Sequence, residues 1–344
     1  MLANANQQIS LVEIQKILPE HHYHFKKTIG AGGYGTVFLV RSEKYNQDFC
    51  VKRISQPETA YDETKNEATT LFGLCHPNII SMYEFFFDES YTNLYIVLEY
   101  CRGGSLKDVI EKEGPIHPPK LYSICYHIIK ALLHCHEQNV AHRDIKPANI
   151  LLDNYGRPKL ADFGLSKKLE RGEKDNSYAG SHPYMAPEII NRQKVDPFLA
   201  DIWSLGITFY TIAFGRLPWL VHTKDELNIA ISIGNFAFPS YADSRFCLLI
   251  RSMTAVDPAK RAPLSKLLRS PLFDDIHKFS YTTLYPSNKR EPVGNSMSLR
   301  SKGLSPTVSF GKIRIEKNNV RTCSVGKTSS RRGPLVQKTF APNV

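Results

Sequence analysis

Apolar positions in the first hundred residues follow two periods. Short runs rich in β-branched and aromatic side chains predict strands, because such residues fit a pleated, half-buried surface. These runs are residues 25–29, 36–40, 49–54 and 93–100. Between the last two runs, Glu67, Leu71 and Leu74 recur at helical spacing, which predicts a helix within residues 59–75.

Beyond residue 100 the apolar spacing is helical. The sequence GGSL at residues 103–106 begins one helix, and the next carries seven apolar residues on one face. These seven are Leu121, Ile124, Cys125, Ile128, Ile129, Leu132 and Leu133. The longest mainly apolar run, residues 202–215, is too short to cross a membrane and predicts a buried core helix. We therefore expect no transmembrane segment.

Residues 1–23 form a leader whose apolar positions predict a short helix ending before Pro19. The histidines at its end, His21 and His22, together with the adjoining His24, could bind metal or belong to a solvated linker, and we leave them unassigned. The N-terminus lacks a basic start followed by an apolar core, so no secretory signal is visible. A cytoplasmic, or more broadly intracellular, location is expected, with the nucleus left open.

The net charge of +11 is carried by the end of the chain. Residues 277–344 hold 13 Lys and Arg against two acidic residues, whereas the remaining residues are balanced. Residues 274–344 are a basic tail rich in Ser and Thr, and such a composition predicts disorder. The tail's charge would favour acidic proteins, RNA or anionic membrane. The seven cysteines, an odd number without a Cys-x-x-Cys pair, predict reduced thiols rather than a disulfide framework.

A glycine-rich loop, GAGGYGTV at residues 30–37, follows the first predicted strand. The same spacing of glycines occurs in dinucleotide-binding turns, but there the glycines open a helix. Here a β-branched run follows, so the loop belongs to a hairpin. Glycines let a backbone approach phosphate groups closely, and the alternative is a merely tight hairpin.

The densest group of polar residues lies at residues 141–164. It reads His-Arg-Asp-x-Lys-x-x-Asn from residue 142 and Asp-Phe-Gly from residue 162. Phosphoryl transfer needs a carboxylate that orients the attacking hydroxyl and a cation beside the moving phosphoryl group. It also needs an amide and a second carboxylate that hold divalent metal against the phosphates. Asp144, Lys146, Asn149 and Asp162 supply these groups.

Together these motifs resemble those of eukaryotic protein kinases, over residues 24–273. The resemblance implies an α+β, bilobal fold, with a small antiparallel β lobe carrying one helix at about residues 24–99. A larger, mainly helical lobe would occupy about residues 102–273. It also implies ATP and Mg²⁺ as cofactors and transfer of the γ-phosphoryl group to protein hydroxyls in intracellular signalling.

The resemblance also assigns roles to residues. The expected catalytic group is Asp144, Lys146, Lys52 and Glu67, with Asp144 orienting the hydroxyl, Lys146 balancing phosphate charge and Glu67 pairing with Lys52. The expected nucleotide contacts are Ile29, Gly30, Gly32, Gly33, Gly35, Val37, Lys52, Glu99, Cys101, Asn149 and Asp162. Asn149 and Asp162 would hold the metal.

Other matches concern structure and regulation. Glu188 would pair with Arg261, and Asp201 would steady the catalytic loop. Ser177 stands where related kinases carry a phosphate, added by an upstream kinase or by autophosphorylation and captured by Arg143.

Lys146 and Ser181 resemble the serine/threonine branch. The hinge, residues 98–101, and the activation segment, which runs from Asp162 to Glu188, most resemble those of the calcium/calmodulin-dependent kinase group. Ser105 and Ala148 replace acidic residues that often select an arginine in the substrate. The tail carries RTCS at residues 321–324, a candidate self-substrate or pseudosubstrate.

Two other classes of function compete with an active kinase. A scaffolding pseudokinase would lack at least one of Lys52, Asp144, Asn149 and Asp162, and none is lost. A nucleic-acid or membrane tether would depend mainly on the tail.

Overall fold

The computed structural model describes most of the chain up to residue 276. The described residues are 14–32, 35–55, 65, 68–69, 72–169, 173 and 180–276, and all of them lie in one compact unit. Gly33, Glu67 and Ser177, and the whole tail from residue 277, lie outside them.

A five-stranded antiparallel sheet forms the small lobe, in the order β1-β2-β3-β5-β4. Its strands are β1 (Tyr23–Gly32), β2 (Gly35–Ser42), β3 (Gln47–Ser55), β4 (Met82–Phe87) and β5 (Asn93–Glu99). The β-branched and aromatic runs therefore form strands as predicted, and the glycine loop lies at the turn of the β1–β2 hairpin.

Alternate residues of these strands face opposite sides of the sheet, and both sides are covered. On the inner side stand Lys52, Ile96 and Leu98, beside the described part of the predicted helix 59–75, α2. Residues 65, 68–69 and 72 of α2 are helical, and Ala68 packs against the inner side of the sheet.

Residues 14–20 form a further helix, α1, which packs on the outer side of the sheet. Ile14 and Leu18, one turn apart, are fully buried. The apolar residues of the sheet in this cluster are Tyr23, Phe38, Val40, Phe49, Val51, Phe86, Tyr95 and Val97. The helix runs through Pro19 instead of ending before it. Pro19 lies in the final turn, where its missing N–H removes only one hydrogen bond.

Truncating Leu18 should therefore destabilise the small lobe. We expect Leu18→Ala to lower the free energy of unfolding by about 2–5 kcal/mol, because it leaves a cavity between α1 and the sheet. Lys16→Ala, on the exposed side of the same helix, is the matched control and should change it by less than about 0.5 kcal/mol. Urea unfolding of both variants measures the difference, and equal midpoints would show that α1 does not contribute.

The larger lobe is mainly helical, as the resemblance implied. Its helices are α3 (Leu106–Glu113), α4 (Lys120–Glu137), α5 (Pro187–Ile190), α6 (Pro197–Phe214), α7 (Lys224–Ile233), α8 (Ser244–Met253) and α9 (Leu264–Leu267). Two short antiparallel pairs accompany them, β6 (Val140–Ala141) with β9 (Lys167–Lys168), and β7 (Ile150–Leu152) with β8 (Pro158–Leu160). Ser105 caps α3 through a reciprocal capping box with Asp108.

The histidine-rich segments have structural partners. His134 and His136 lie in the last turn of α4, and Cys135 between them is fully buried. In the leader, His21 contacts Glu84, whereas His22 and His24 both contact Glu43. Across the described residues, no group of three His, Cys, Asp or Glu side chains could hold a metal ion.

The central helix of the large lobe is α6. By length and composition alone it could cross a membrane, and among the described residues it is the single such helix. However, 78% of this helix is buried inside the protein, as expected for a core helix. The predicted buried helix at residues 202–215 is thereby confirmed.

Candidate active site

Asp201 of α6 binds the backbone of the loop between β6 and β7. One oxygen of its carboxylate accepts the His142 N–H at 2.8 Å and the other accepts the Arg143 N–H at 2.7 Å. The His136 ring nitrogen Nε2 lies 3.0 Å from the same carboxylate. Asp201 is almost fully buried, so these bonds are shielded from water. The expected role of Asp201 in steadying this loop matches the geometry.

His142 links the two motifs of the site. Its Nε2 lies 3.0 Å from the carbonyl oxygen of Ala161, and its Nδ1 lies 3.3 Å from the N–H of Asp144. A carbonyl can only accept and an amide N–H can only donate, so the ring is neutral with its proton on Nε2. Burial lowers the pKa of His142, which agrees with this state. The ring also contacts Phe163 at a centroid distance of 4.8 Å. Sequence reasoning gave His142 no role.

Asp144 has one occupied and one free carboxylate oxygen. Its Oδ2 accepts from Lys146 Nζ at 2.7 Å and from Asn149 Nδ2 at 3.0 Å. Its Oδ1 is buried and has no hydrogen-bond partner within the part of the chain that the structure describes. Since an unpaired buried acceptor is costly, such atoms in folded proteins call for an explanation, and one explanation is a bond made to a substrate.

Lys146 joins the loop to the activation segment. Besides Asp144, its ammonium donates to the Ser181 hydroxyl at 2.6 Å. Gly180, the preceding residue, has a φ of +115°, and a Cβ there would lie only 2.6 Å from the Arg143 carbonyl oxygen. A residue with a side chain could not approach the catalytic loop this closely.

Lys52 of β3 contacts Asp162 directly, with Nζ and Oδ1 2.5 Å apart. Burial favours the neutral form of Asp162, but the Lys52 ammonium outweighs it, so the pKa of Asp162 lies below its ordinary value. The predicted pairing of Lys52 with Glu67 falls outside the described residues. Lys52 thus fixes the Asp162 carboxylate, which the family resemblance expects to bind metal.

A cavity of about 170 Å³ lies between the inner side of the sheet and the Asp-Phe-Gly segment. Its lining includes Lys52, Met82, Leu98, Asp162 and Phe163. Leu98, the last inward-facing residue of β5, lines it directly before the hinge. The expected nucleotide contacts Ile29, Val37, Glu99 and Cys101 are not among its lining residues.

The expected nucleotide contacts of the small lobe lie in the β1–β2 hairpin and in the hinge. Val37 stands opposite Lys52 in the β2–β3 register and opposite Gly30 in the β1–β2 register. Ile29, at the end of the same hairpin arm, is 41% exposed. Gly35 has a φ of +118°, and a Cβ there would lie 2.0 Å from the Arg53 carbonyl oxygen, so only glycine fits. Gly32 and Gly35 form the last residue pair of the β1–β2 register.

The hinge follows β5. The Glu99 N–H donates to the Ser81 carbonyl at 2.9 Å, and its carboxylate accepts from Lys159 Nζ at 2.9 Å. Lys159 of β8 is only 7% exposed, and nothing in the local sequence pointed to this contact across 60 residues. Cys101 is buried, and burial raises the pKa of its thiol to about 12, so the thiol stays protonated.

Asn149 and Asp162 suit a magnesium ion by donor type. Asn149 uses its amide nitrogen on Asp144, which leaves its amide oxygen as a ligand, and Asp162 supplies carboxylate oxygen. Mg²⁺ prefers oxygen ligands and often takes only one or two from protein, with phosphates and water completing its shell. The residues present therefore fit such an ion.

A buried ion pair anchors the end of the activation segment. Arg261 donates from both terminal nitrogens to the two oxygens of Glu188, each at 2.7 Å. It also donates to the carbonyls of Leu199 and Ala255, and its guanidinium lies 5.3 Å from the centre of the Trp203 ring. The predicted Glu188–Arg261 pair is confirmed by this geometry.

Comparison with known proteins agrees with this site. Mouse sperm motility kinases 3A and 3B are each 30% identical to this chain over 249 residues, which is 72% of the chain and 49% of each relative. A third mouse relative, whose name also contains the words sperm motility kinase, is 32% identical over 244 residues, 71% of this chain and 48% of its own length.

The chain thus spans about half the length of the curated relatives it matches. The family model for the protein kinase domain, a description of the family's sequences, matches residues 23–273. The match begins at the first residue of β1 and ends just before the predicted tail. This match covers well over half of the sequence and includes every residue of the site described above. The chain belongs to the protein kinase family.

Proposed function

We propose that this protein is a serine/threonine protein kinase that transfers the γ-phosphoryl group of Mg-ATP to hydroxyl groups of protein substrates. The observation that carries the proposal is Asp144. Its Oδ1 is buried and has no hydrogen-bond partner among the described residues, whereas its Oδ2 is fixed by Lys146 and Asn149. A carboxylate held in this way is oriented before substrate arrives.

The proposal gives each of five site residues a role. Asp144 accepts the hydrogen bond of the attacking hydroxyl and orients its oxygen towards the γ-phosphorus. Lys146 balances the charge on the transferring group, and Lys52 contacts the α- and β-phosphates. Asn149 and Asp162 would hold magnesium, which supplies neutralisation of phosphate charge when bound.

The contact between Lys146 and Ser181 supports the serine/threonine branch. It joins Lys146 to Ser181 of the activation segment. These are the two residues that resemble this branch in sequence. We further propose similarity to the calcium/calmodulin-dependent kinase group, a cytoplasmic location with the nucleus left open, and a role in signalling, all three on sequence grounds. Upstream phosphorylation or autophosphorylation at Ser177 belongs to the same proposal.

The test is transfer of radiolabelled phosphate from Mg-ATP to a degenerate peptide library. Full-length protein and a variant ending at residue 276 should both label Ser and Thr positions, and Asp162→Ala should label none. Labelling of tyrosine instead would overturn the serine/threonine assignment. ATP binding without any transfer would favour the scaffolding pseudokinase.

The same assay addresses regulation and the tail. Ser177→Ala should lower transfer if phosphate at this position orders the activation segment. Faster transfer by the shortened variant would identify the tail as an inhibitor, with the RTCS sequence at residues 321–324 as the first segment to test. Unchanged transfer in both variants would remove both regulatory roles.

A further inference from the structure

A second, larger cavity lies beside the hinge, at the end of the small-lobe sheet away from the glycine loop. Its volume is about 380 Å³, and it shares no lining residue with the first. Its lining comes from the β2–β3 turn, the hinge and the β7–β8 turn, and includes Arg41, Asp48, Glu99, Arg102, Tyr155 and Arg157. Because Leu98 faces the first cavity, the side chain of the next residue, Glu99, faces this one. We name it the rear cavity.

Three cations share one carboxylate at the rear cavity. Asp48 accepts from Lys26 at 2.7 Å, from Arg41 at 3.2 Å and from Arg102 at 3.3 Å. The pKa of Asp48 lies below its ordinary value, chiefly through the bond from Lys26, so this carboxylate stays ionised. One negative charge against three positive charges leaves two positive charges uncompensated in this cluster.

The other carboxylates of the rear cavity are already paired. Asp153 accepts from Arg157 Nε at 2.6 Å and from the backbone N–H groups of Tyr155 and Arg157. Glu99 accepts from Lys159 at 2.9 Å. The lining itself therefore holds three arginines and three carboxylates, and the excess of two positive charges comes from Lys26 and Lys159, which contact these carboxylates without lining the cavity.

Tyrosines stand beside two of these guanidinium groups. Arg157 lies 5.0 Å from the centre of the Tyr155 ring, and Arg102 lies 6.0 Å from that of Tyr100. Tyr155 is 60% exposed and Tyr83, on the same cavity, is 45% exposed. Arginine and tyrosine are enriched where proteins bind other proteins, because they combine broad contact area with directed hydrogen bonds.

We propose that the rear cavity binds an acidic peptide segment of a partner protein. Spaced carboxylate side chains would pair with Arg41, Arg102 and Arg157, while apolar or aromatic side chains would rest on the exposed tyrosines. The basic tail of this chain is excluded as occupant, because its 13 Lys and Arg against two acidic residues would be repelled.

The test uses a fluorescein-labelled nonapeptide of Glu and Asp with one central Tyr, titrated with the full-length protein. Reversing the charge of both arginines in Arg102→Glu with Arg157→Glu should raise the dissociation constant by about tenfold or more. Lys130→Glu is the matched control, because Lys130 also lies over a tyrosine ring, 5.7 Å from the centre of Tyr126, but outside the cavity. It should leave the dissociation constant unchanged.

Hydrogen exchange with the same peptide separates the rear cavity from the tail. Protection is expected in segments 41–48, 99–102 and 153–157. Protection confined to residues 277–344, or equal binding by the double variant and wild type, would overturn the proposal. So would tighter binding of a single-stranded oligonucleotide at those segments. If the double variant does not fold, Arg102→Gln with Arg157→Gln replaces it and should weaken binding in the same direction.

Discussion

Asp144→Asn should lower turnover by about 10²–10⁴-fold while leaving ATP affinity close to that of wild type. The change keeps the shape of the side chain but removes the carboxylate charge that accepts the substrate's hydrogen bond. It leaves untouched Lys52 and Asp162, which lie at the nucleotide end of the site. Steady-state phosphorylation of a preferred peptide gives turnover, and displacement of a fluorescent nucleotide gives affinity.

A second Asp→Asn change controls for the chemistry of the substitution. Asp257 is half exposed and lies outside the active site, and its contact with a charged side chain of the described residues is with Lys260, at 3.8 Å. Asp257→Asn should keep normal turnover. Full turnover in Asp144→Asn would show that Asp144 does not orient the hydroxyl. Loss of nucleotide affinity together with turnover would instead indicate a structural role.

Arg261→Met should lower the free energy of unfolding by about 3–5 kcal/mol. Arg261 is the direct partner of the buried Glu188 carboxylate, so its removal leaves a desolvated negative charge without its cation. It also removes donors from the Leu199 and Ala255 carbonyls. Urea unfolding followed by fluorescence measures the loss, and Trp203, beside the guanidinium, is a suitable reporter.

Two further variants define the origin of this loss. Glu188→Leu combined with Arg261→Met removes both charges, and its stability should recover part of the way towards wild type. Lys260→Met changes the neighbouring exposed cation, which is 77% exposed, and should shift the free energy of unfolding by less than about 0.5 kcal/mol. An Arg261→Met variant as stable as Lys260→Met would contradict an anchoring role for the pair.

Much of the active site could be predicted from sequence because its chemistry fixes residue type and spacing. Asp144, Lys146 and Asn149 lie within six consecutive residues, so one loop brings them together in any fold that preserves it. The strands β1, β2, β3 and β5 were predictable for a different reason, because their β-branched and aromatic runs are bounded by turns. The strand β4 (Met82–Phe87) was not predicted. The antiparallel register of β1–β2 and β2–β3 follows from short connections, whereas the β3–β5 pairing joins strands that are distant in the chain.

Contacts between distant segments were predictable only where the family resemblance assigned them, as for Glu188 and Arg261. Lys159 and Glu99 are 60 residues apart, and a lysine in a short polar-looking run gives no sign that it will be buried. The docking of Ile14 and Leu18 also depends on distant residues, because it requires the apolar outer side of the sheet. The pattern of the leader predicted a helix but not its partner. The free Oδ1 of Asp144 likewise became visible only with three-dimensional positions.

The position of α1 affects how a soluble fragment of this protein should be designed. The family match starts at residue 23, after α1 has ended, so a fragment cut at that boundary would retain every active-site residue. It would also uncover the eight apolar side chains that Ile14 and Leu18 help to bury. Contiguous apolar surface of this kind promotes self-association. Fragments intended for crystallisation or screening should therefore begin upstream of residue 14.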